Sequence, residues 1–147
     1  MAETTATKVI TKSGETTFAE LSEKSEVLAV YFSAHWCPPC RRFTPILADL
    51  YNKWNTNAGD KKPLEVVFCS FDSDADQYKE YFDTMPWATL PFGDPLIKKL
   101  SDKFEVEGIP CLVIISKDGK EEMLSNNGYE DISLKKEKAI DEWKKLY

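Results

Sequence analysis

The run Val27 to Ser33, Val-Leu-Ala-Val-Tyr-Phe-Ser, carries its apolar side chains in succession with no polar alternation. A strand with one face in water alternates apolar and polar residues. An unbroken run therefore predicts a strand covered on both faces, central in a mainly parallel sheet with helices on each side. Leu64 to Phe71 reads as the next strand, and the segments between and beyond are of helical period. From Pro38 to about Trp54, Phe43, Leu47, Leu50 and Trp54 recur on one face, joined by Ile46 and Tyr51. Pro45 lies inside this helix and is expected to kink it, at a cost of roughly 3 kcal/mol that packing must offset. Ser73 with Asp76 is a helix-start signal before Tyr78, Tyr81, Phe82 and Met85. Asp94-Pro95 caps a further helix with Leu96, Leu100 and Phe104 on one face. At the start, Lys8 to Thr11 predicts a weak strand and Thr17 opens a short helix with Phe18 and Leu21. Near the end, Cys111 to Ser116 and Glu121 to Ser125 flank Asp118-Gly119, a hairpin signal that makes this pair antiparallel. A last helix from about Asp131 is expected to bury Ile140, Trp143 and Leu146. The fold class is α/β, with a central mixed sheet of about five strands flanked by helices on both faces.

Size and charge narrow the function classes. With 147 residues, 42% of them hydrophobic and 12% aromatic, the chain can cover both faces of one sheet. A single domain over residues 1–147 is the expectation, and a monomer. The formal net charge of −6 repels nucleic acid and anionic membrane surfaces, so neither is an expected partner. No apolar run approaches the roughly 18 to 20 residues of a membrane span. Met1 to Ser25 lacks the basic start and apolar middle of a secretory signal. These features predict a cytoplasmic location, with the nucleus as a second compartment.

Of the four cysteines, only Cys37 and Cys40 are close in sequence, while Cys69 and Cys111 sit in apolar runs. That spacing favours a catalytic pair in a reducing compartment over a disulfide framework. Zinc is the other reading of Cys-x-x-Cys, but it normally needs a second Cys or His pair, and the sole histidine is His35; no metal is expected. Cysteine attacks disulfides as the thiolate, and a Cys at a helix N-terminus faces unpaired backbone N–H groups that favour the anion. Cys37 is placed there by the buried strand before it and the helix after it. Pro38 and Pro39 suit the first helical turn, where their missing N–H groups cost little. Cys40, one turn into the helix, is positioned to resolve a mixed disulfide held by Cys37. Trp36 stands beside the pair, and Ile109-Pro110 answers it before another strand.

Tyr31-Phe32-Ser33-Ala34-His35-Trp36-Cys37-Pro38-Pro39-Cys40-Arg41, continued by Phe43-Thr44-Pro45, resembles the active-site segment of the thioredoxin-like proteins, most closely the tryparedoxin and nucleoredoxin branch. Tyr81-Phe82, Met85-Pro86-Trp87, Leu90-Pro91-Phe92 and Gly108-Ile109-Pro110 extend the resemblance over Val27 to Ser116. It implies a thioredoxin-like fold and a dithiol–disulfide cycle, with Cys37 attacking and Cys40 resolving. It needs no cofactor beyond the redox-active Cys37–Cys40 disulfide. It also implies a cis bond before Pro110, with Ile109 offering backbone groups to a substrate chain and Trp36 and Pro38 on the contact surface. Protein disulfides, such as that of a peroxiredoxin, would be the substrates, and a low-molecular-weight thiol or a reductase the electron donor.

The sequence also departs from the family it resembles. Ordinary thioredoxins place a buried acid six positions before the first Cys; here Tyr31 stands there, as in the tryparedoxin branch, so Cys40 must pass its proton through water or another group. Cys111 follows Pro110 where the branch usually has Thr. Asn126, Asn127, Gly128 and Tyr129 stand where it tends to carry arginines, which leaves the small-thiol reductant open. Modulating roles are open to His35, which when protonated would favour the Cys37 thiolate, and to Tyr31, Trp87 and Cys111. Trp87 reads equally as lining the contact surface or as a packed aromatic. Cys69 reads as a small buried hydrophobe. Asp72 reads either as a functional group at the end of its strand or as a helix cap. Two other functions fit: a redox-sensitive protein-binding module of nucleoredoxin type, and an extracytoplasmic thiol reductase.

Overall fold

The computed structural model describes residues 8–56, 58–117 and 122–147. Strands β1 (Lys8–Thr11) and β2 (Gly14–Thr17) precede helix α1 (Phe18–Glu23). Strand β3 (Ser25–Ser33) leads into α2 (Pro38–Asn55), and β4 (Lys62–Ser70) into α3 (Ala75–Phe82). There follow β5 (Ala88–Thr89), α4 (Pro95–Lys103), β6 (Cys111–Ile115), β7 (Met123–Ser125), α5 (Gly128–Lys135) and α6 (Ala139–Lys144). Among the described residues the sheet has seven strands, in the order β2-β1-β5-β4-β3-β6-β7.

The expectation of about five strands is therefore corrected to seven, and the two added strands have physical explanations. β2 is Gly-Glu-Thr-Thr, a partly exposed edge strand without an apolar residue, held by pairing with β1. β5 is two residues long, too short to carry a period, and is held between β4 and β1. The sheet is mixed as expected: β3, β4 and β5 run parallel, whereas β6 is antiparallel to β3 and to β7. The Asp118-Gly119 turn itself lies outside the described residues.

β3 has no polar alternation because both its faces are covered. Val27, Ala29 and Tyr31 enter one core with Phe43, Leu47 and Phe68, while Leu28, Val30 and Phe32 enter the other with Phe18, Leu100 and Phe104. Helix α2 runs through Pro45 without interruption, burying Phe43, Leu47, Leu50 and Tyr51. Ile46 is 51% exposed, so its expected place on the buried face is corrected; it lies one step outside the stripe. Asp74, not Ser73, caps α3, its carboxylate accepting from the Gln77 N–H. Asp94 caps α4 as expected, accepting from the Leu96 N–H.

The C-terminal helix is broken rather than continuous. Lys136 has φ of 49°, between α5 and a 3-10 turn at Lys136–Lys138. Ile140 and Trp143 are buried beyond the break, but Leu146 is exposed, contrary to expectation, because α6 ends at Lys144. Gly128 opens α5 flat against β6: a Cβ there would stand 2.6 Å from the Leu112 carbonyl oxygen, which excludes any larger residue from this contact.

Register fixes where the chemistry gathers. Ser33 pairs with Ser70 across β3 and β4, and Phe32 pairs with Cys111 across β3 and β6. The segments 34–37, 71–72 and 109–110 thus leave the sheet side by side, at one end of its central strands.

Candidate functional site

Cys37 is the N-cap of α2, with extended backbone (φ −93°, ψ 111°), and Pro38 and Pro39 occupy the first helical positions. Its sulfur accepts a hydrogen bond from the Cys40 backbone N–H at 3.4 Å. This is the geometry expected of a helix N-terminus, an oriented donor at the sulfur where negative charge would develop. A tight turn, closed by the Cys37 N–H on the Ala34 carbonyl at 3.2 Å, brings the chain from β3 into this position. Cys37 retains 5% of its surface and Cys40 none. Burial, reinforced by contact with the Cys37 thiol, pushes the Cys40 thiol up to about 11. The four cysteines are free thiols, so this is the dithiol form.

The Ile109–Pro110 bond is cis, as the resemblance implies. The Cys37 thiol donates a long 3.9 Å contact to the Ile109 carbonyl, across 72 residues of sequence. Trp36 is 53% exposed beside the sulfur, and its indole N–H donates to the Phe71 carbonyl at 3.1 Å, which holds the ring against the 71–72 segment. Pro38 is exposed on the same rim, and Ile109 and Pro110 are half-buried.

Residues 25–121 match the family described as Thioredoxin-like. The chain belongs to the thioredoxin-like family.

Within it, the similar proteins include tryparedoxins, nucleoredoxins and a thioredoxin of Wuchereria bancrofti. The tryparedoxin of Trypanosoma brucei brucei is 42% identical over 114 residues, which is 77% of this chain and 75% of that protein. Probable nucleoredoxin 1 of Arabidopsis thaliana is 42% identical over 95 residues, 65% of this chain but 16% of that protein; this chain spans a small part of such nucleoredoxins. Among solved structures, tryparedoxin from Trypanosoma brucei superposes with a TM-score of 0.82 at 34% identity, covering 97% of this chain and 96% of that one. A tryparedoxin II structure complexed with glutathionylspermidine superposes with a TM-score of 0.77 at 32% identity, covering 90% of this chain and 89% of that one.

The remaining predicted residues of this thioredoxin-like site fall into three groups. His35 is braced: its backbone N–H donates to Asp72 Oδ1 at 2.7 Å, and its ring stacks on Tyr81 with centroids 5.4 Å apart. The other Asp72 oxygen accepts from the Ser70 hydroxyl at 2.7 Å. Asp72 thus ties the Cys37 loop to the end of β4 and does not cap α3. Trp87 is not at the contact surface; it is buried against Tyr31 and Tyr51, edge to face. Cys111 is half-buried, and burial, aided by Glu130, pushes its thiol up to about 11. Cys69 is fully buried, and its thiol is pushed up further.

Tyr31 occupies the buried place of the acid in ordinary thioredoxins, and it does not stand alone. Its hydroxyl shares a hydrogen bond with Thr44 at 2.7 Å, Thr44 with Tyr81 at 2.5 Å, and Tyr81 with Ser33 at 2.6 Å. Ser33, at the end of this row, adjoins the Cys40 thiol and lowers it against the larger rise that burial causes. Sequence reasoning missed Ser33, Thr44 and Tyr81. The available signal was the missing acid at position 31, which demands another polar neighbour for Cys40.

Proposed function

We propose that this chain reduces protein disulfides through Cys37 and Cys40. The single observation that carries the reading is the Cys37 sulfur at the α2 N-terminus, facing the Cys40 N–H on one side and the Ile109 carbonyl beside cis-Pro110 on the other. Cys37, as thiolate, attacks one sulfur of the target and displaces the other as a thiolate. Cys40 then loses its proton and attacks Cys37, closing the Cys37–Cys40 disulfide and releasing the target's second thiol. Two electrons pass from the dithiol to the target, and no cofactor besides this disulfide takes part. A low-molecular-weight thiol or a reductase restores the dithiol.

Trp36 and Pro38 form the rim that meets the target, and Ile109 offers main-chain groups to its extended backbone. Peroxiredoxins are the acceptor class proposed from the tryparedoxin relatives. The donor class is drawn from the same comparison, since one relative was solved with glutathionylspermidine.

The test is reduction of an insulin disulfide and of a peroxiredoxin, with glutathione, trypanothione plus its reductase, or thioredoxin reductase as donor. Turnover that requires Cys37 with at least one donor supports the reading. Failure with every donor, together with disulfide-dependent binding of a protein partner, favours a redox-sensitive binding module.

A further inference from the structure

The resolving step needs a proton to leave a sulfur with no surface of its own. When Cys37 is bonded to a target, that target covers the rim of Trp36 and Pro38. Cys40 is fully buried beneath it, with a thiol that holds its proton at neutral pH.

The fold supplies a row of hydroxyls at this point. Ser33 and Tyr31 are two apart on β3 and point to the same face. Cys40 and Thr44 are four apart on α2 and point back at that face. Tyr81, from α3, inserts its hydroxyl between the two rungs, within 2.6 Å of Ser33 and 2.5 Å of Thr44. Ser33 and Tyr81 are 0% and 3% exposed, so bulk water does not compete for the bond between them, and Thr44, 2% exposed, is the member of the row that borders a cleft. Thr44, at the far end, lines a cleft of about 440 Å³ whose wall includes Pro45 and the exposed Asp49 and Asp83. That cleft does not include Trp36, Pro38 or the 109–110 segment.

Resting on the dithiol reading above, we propose that Ser33, Tyr81 and Thr44 form a proton relay that carries the Cys40 proton away from the covered active face to the cleft beside Thr44. The Cys40 S–H donates to the Ser33 oxygen as Ser33 donates to Tyr81, Tyr81 to Thr44, and Thr44 to water in the cleft. Each hydroxyl gains one proton and loses one. The Cys40 thiolate attacks Cys37, the Cys37–Cys40 bond forms, and the target sulfur leaves with the electron pair of the broken bond. Burial disfavours the phenolate forms of Tyr81 and Tyr31, so the protons move in concert with no tyrosinate left behind. Tyr31 is a side branch that orients Thr44. Tyr81 and Thr44 act through Ser33 and are positioning residues.

Stopped-flow reaction of the reduced protein with dithiobis-nitrobenzoate separates the steps, because Cys37 attack releases the first coloured thiolate and Cys40 closure releases the second. In Tyr81→Phe and Thr44→Val the second release is expected to slow at least about tenfold, with the first within about twofold of wild type. Thr44→Ser, which keeps the hydroxyl, is expected to close near the wild-type rate. Thermal melts identify a variant that fails to fold; if Tyr81→Phe does, the Thr44→Val against Thr44→Ser comparison decides. A second release at wild-type rate in the hydroxyl-less variants overturns the relay alone, as does equal slowing of both releases, or slowing of Thr44→Ser to match Thr44→Val. No first release from the wild type overturns the dithiol reading and the relay with it.

Discussion

The Asp72 carboxylate accepts the His35 backbone N–H at 2.7 Å, so the loop that carries Cys37 is anchored to the strand two places along the sheet order from β6. The same carboxylate accepts the Ser70 hydroxyl, so one buried side chain satisfies two donors.

Asp72→Ala leaves both donors without their partner and is expected to destabilise the protein by about 2 kcal/mol, since each unsatisfied buried group costs about 1 to 3 kcal/mol. For a chain of this size that lowers the melting temperature by about 4 to 8 °C. Asp72→Asn retains an acceptor and loses less. Calorimetry on the three proteins checks the order, and an Asp72→Ala protein as stable as wild type shows that water replaces the carboxylate.

Cys40→Ser is expected to accumulate a mixed disulfide through Cys37 that survives non-reducing electrophoresis, because a target attacked by Cys37 can no longer be released. Cys37→Ser is expected to trap nothing, because Cys40 has no exposed surface. Equal trapping by both variants reverses the attacking and resolving roles.

Cys111→Ser is expected to keep most turnover. Cys111 is half-buried with its thiol pushed up to about 11, so little thiolate is present at neutral pH to compete with closure inside the preorganised Cys37–Cys40 pair. A loss beyond about tenfold, roughly 1.4 kcal/mol in the barrier, contradicts this.

The reduced protein is expected to lose stability as pH rises above about 9. Burial raises Cys40 and Cys111 to about 11 and pushes Cys69, Tyr31, Tyr51 and Tyr81 upward in the same sense. The folded state therefore holds protons that the unfolded chain has already released. The stabilisation is complete below the ordinary thiol range and falls as pH climbs through the folded values. Lys12 and Lys117, lowered by partial burial, oppose the trend but are fewer. Urea midpoints should be level from pH 7 to 8.5 and fall by pH 10.5; a midpoint that rises over that interval refutes the assignment.

The sequence alone determined whatever depends on neighbours along the chain. The unbroken apolar run of β3 predicts burial on two faces because its alternate residues enter two different cores. The Cys37 and Cys40 sulfurs meet because three residues make nearly one helical turn and prolines start that turn. The cis bond before Pro110 was legible only through family resemblance. Tertiary structure decided the rest. β2 and β5 exist through pairing, and neither carries a period of its own. Ile46, Leu146 and Trp87 were placed by where α2 rotates, where α6 ends and what the 85–88 loop covers. The Cys37 contact to Ile109 depends on the pairing of Phe32 with Cys111, which no local pattern encodes. The hydroxyl row beside Cys40 draws on β3, α2 and α3 together. Serine, threonine and tyrosine are ordinary residues in any of these elements, and only packing within 3 Å of one another makes them a path for a proton.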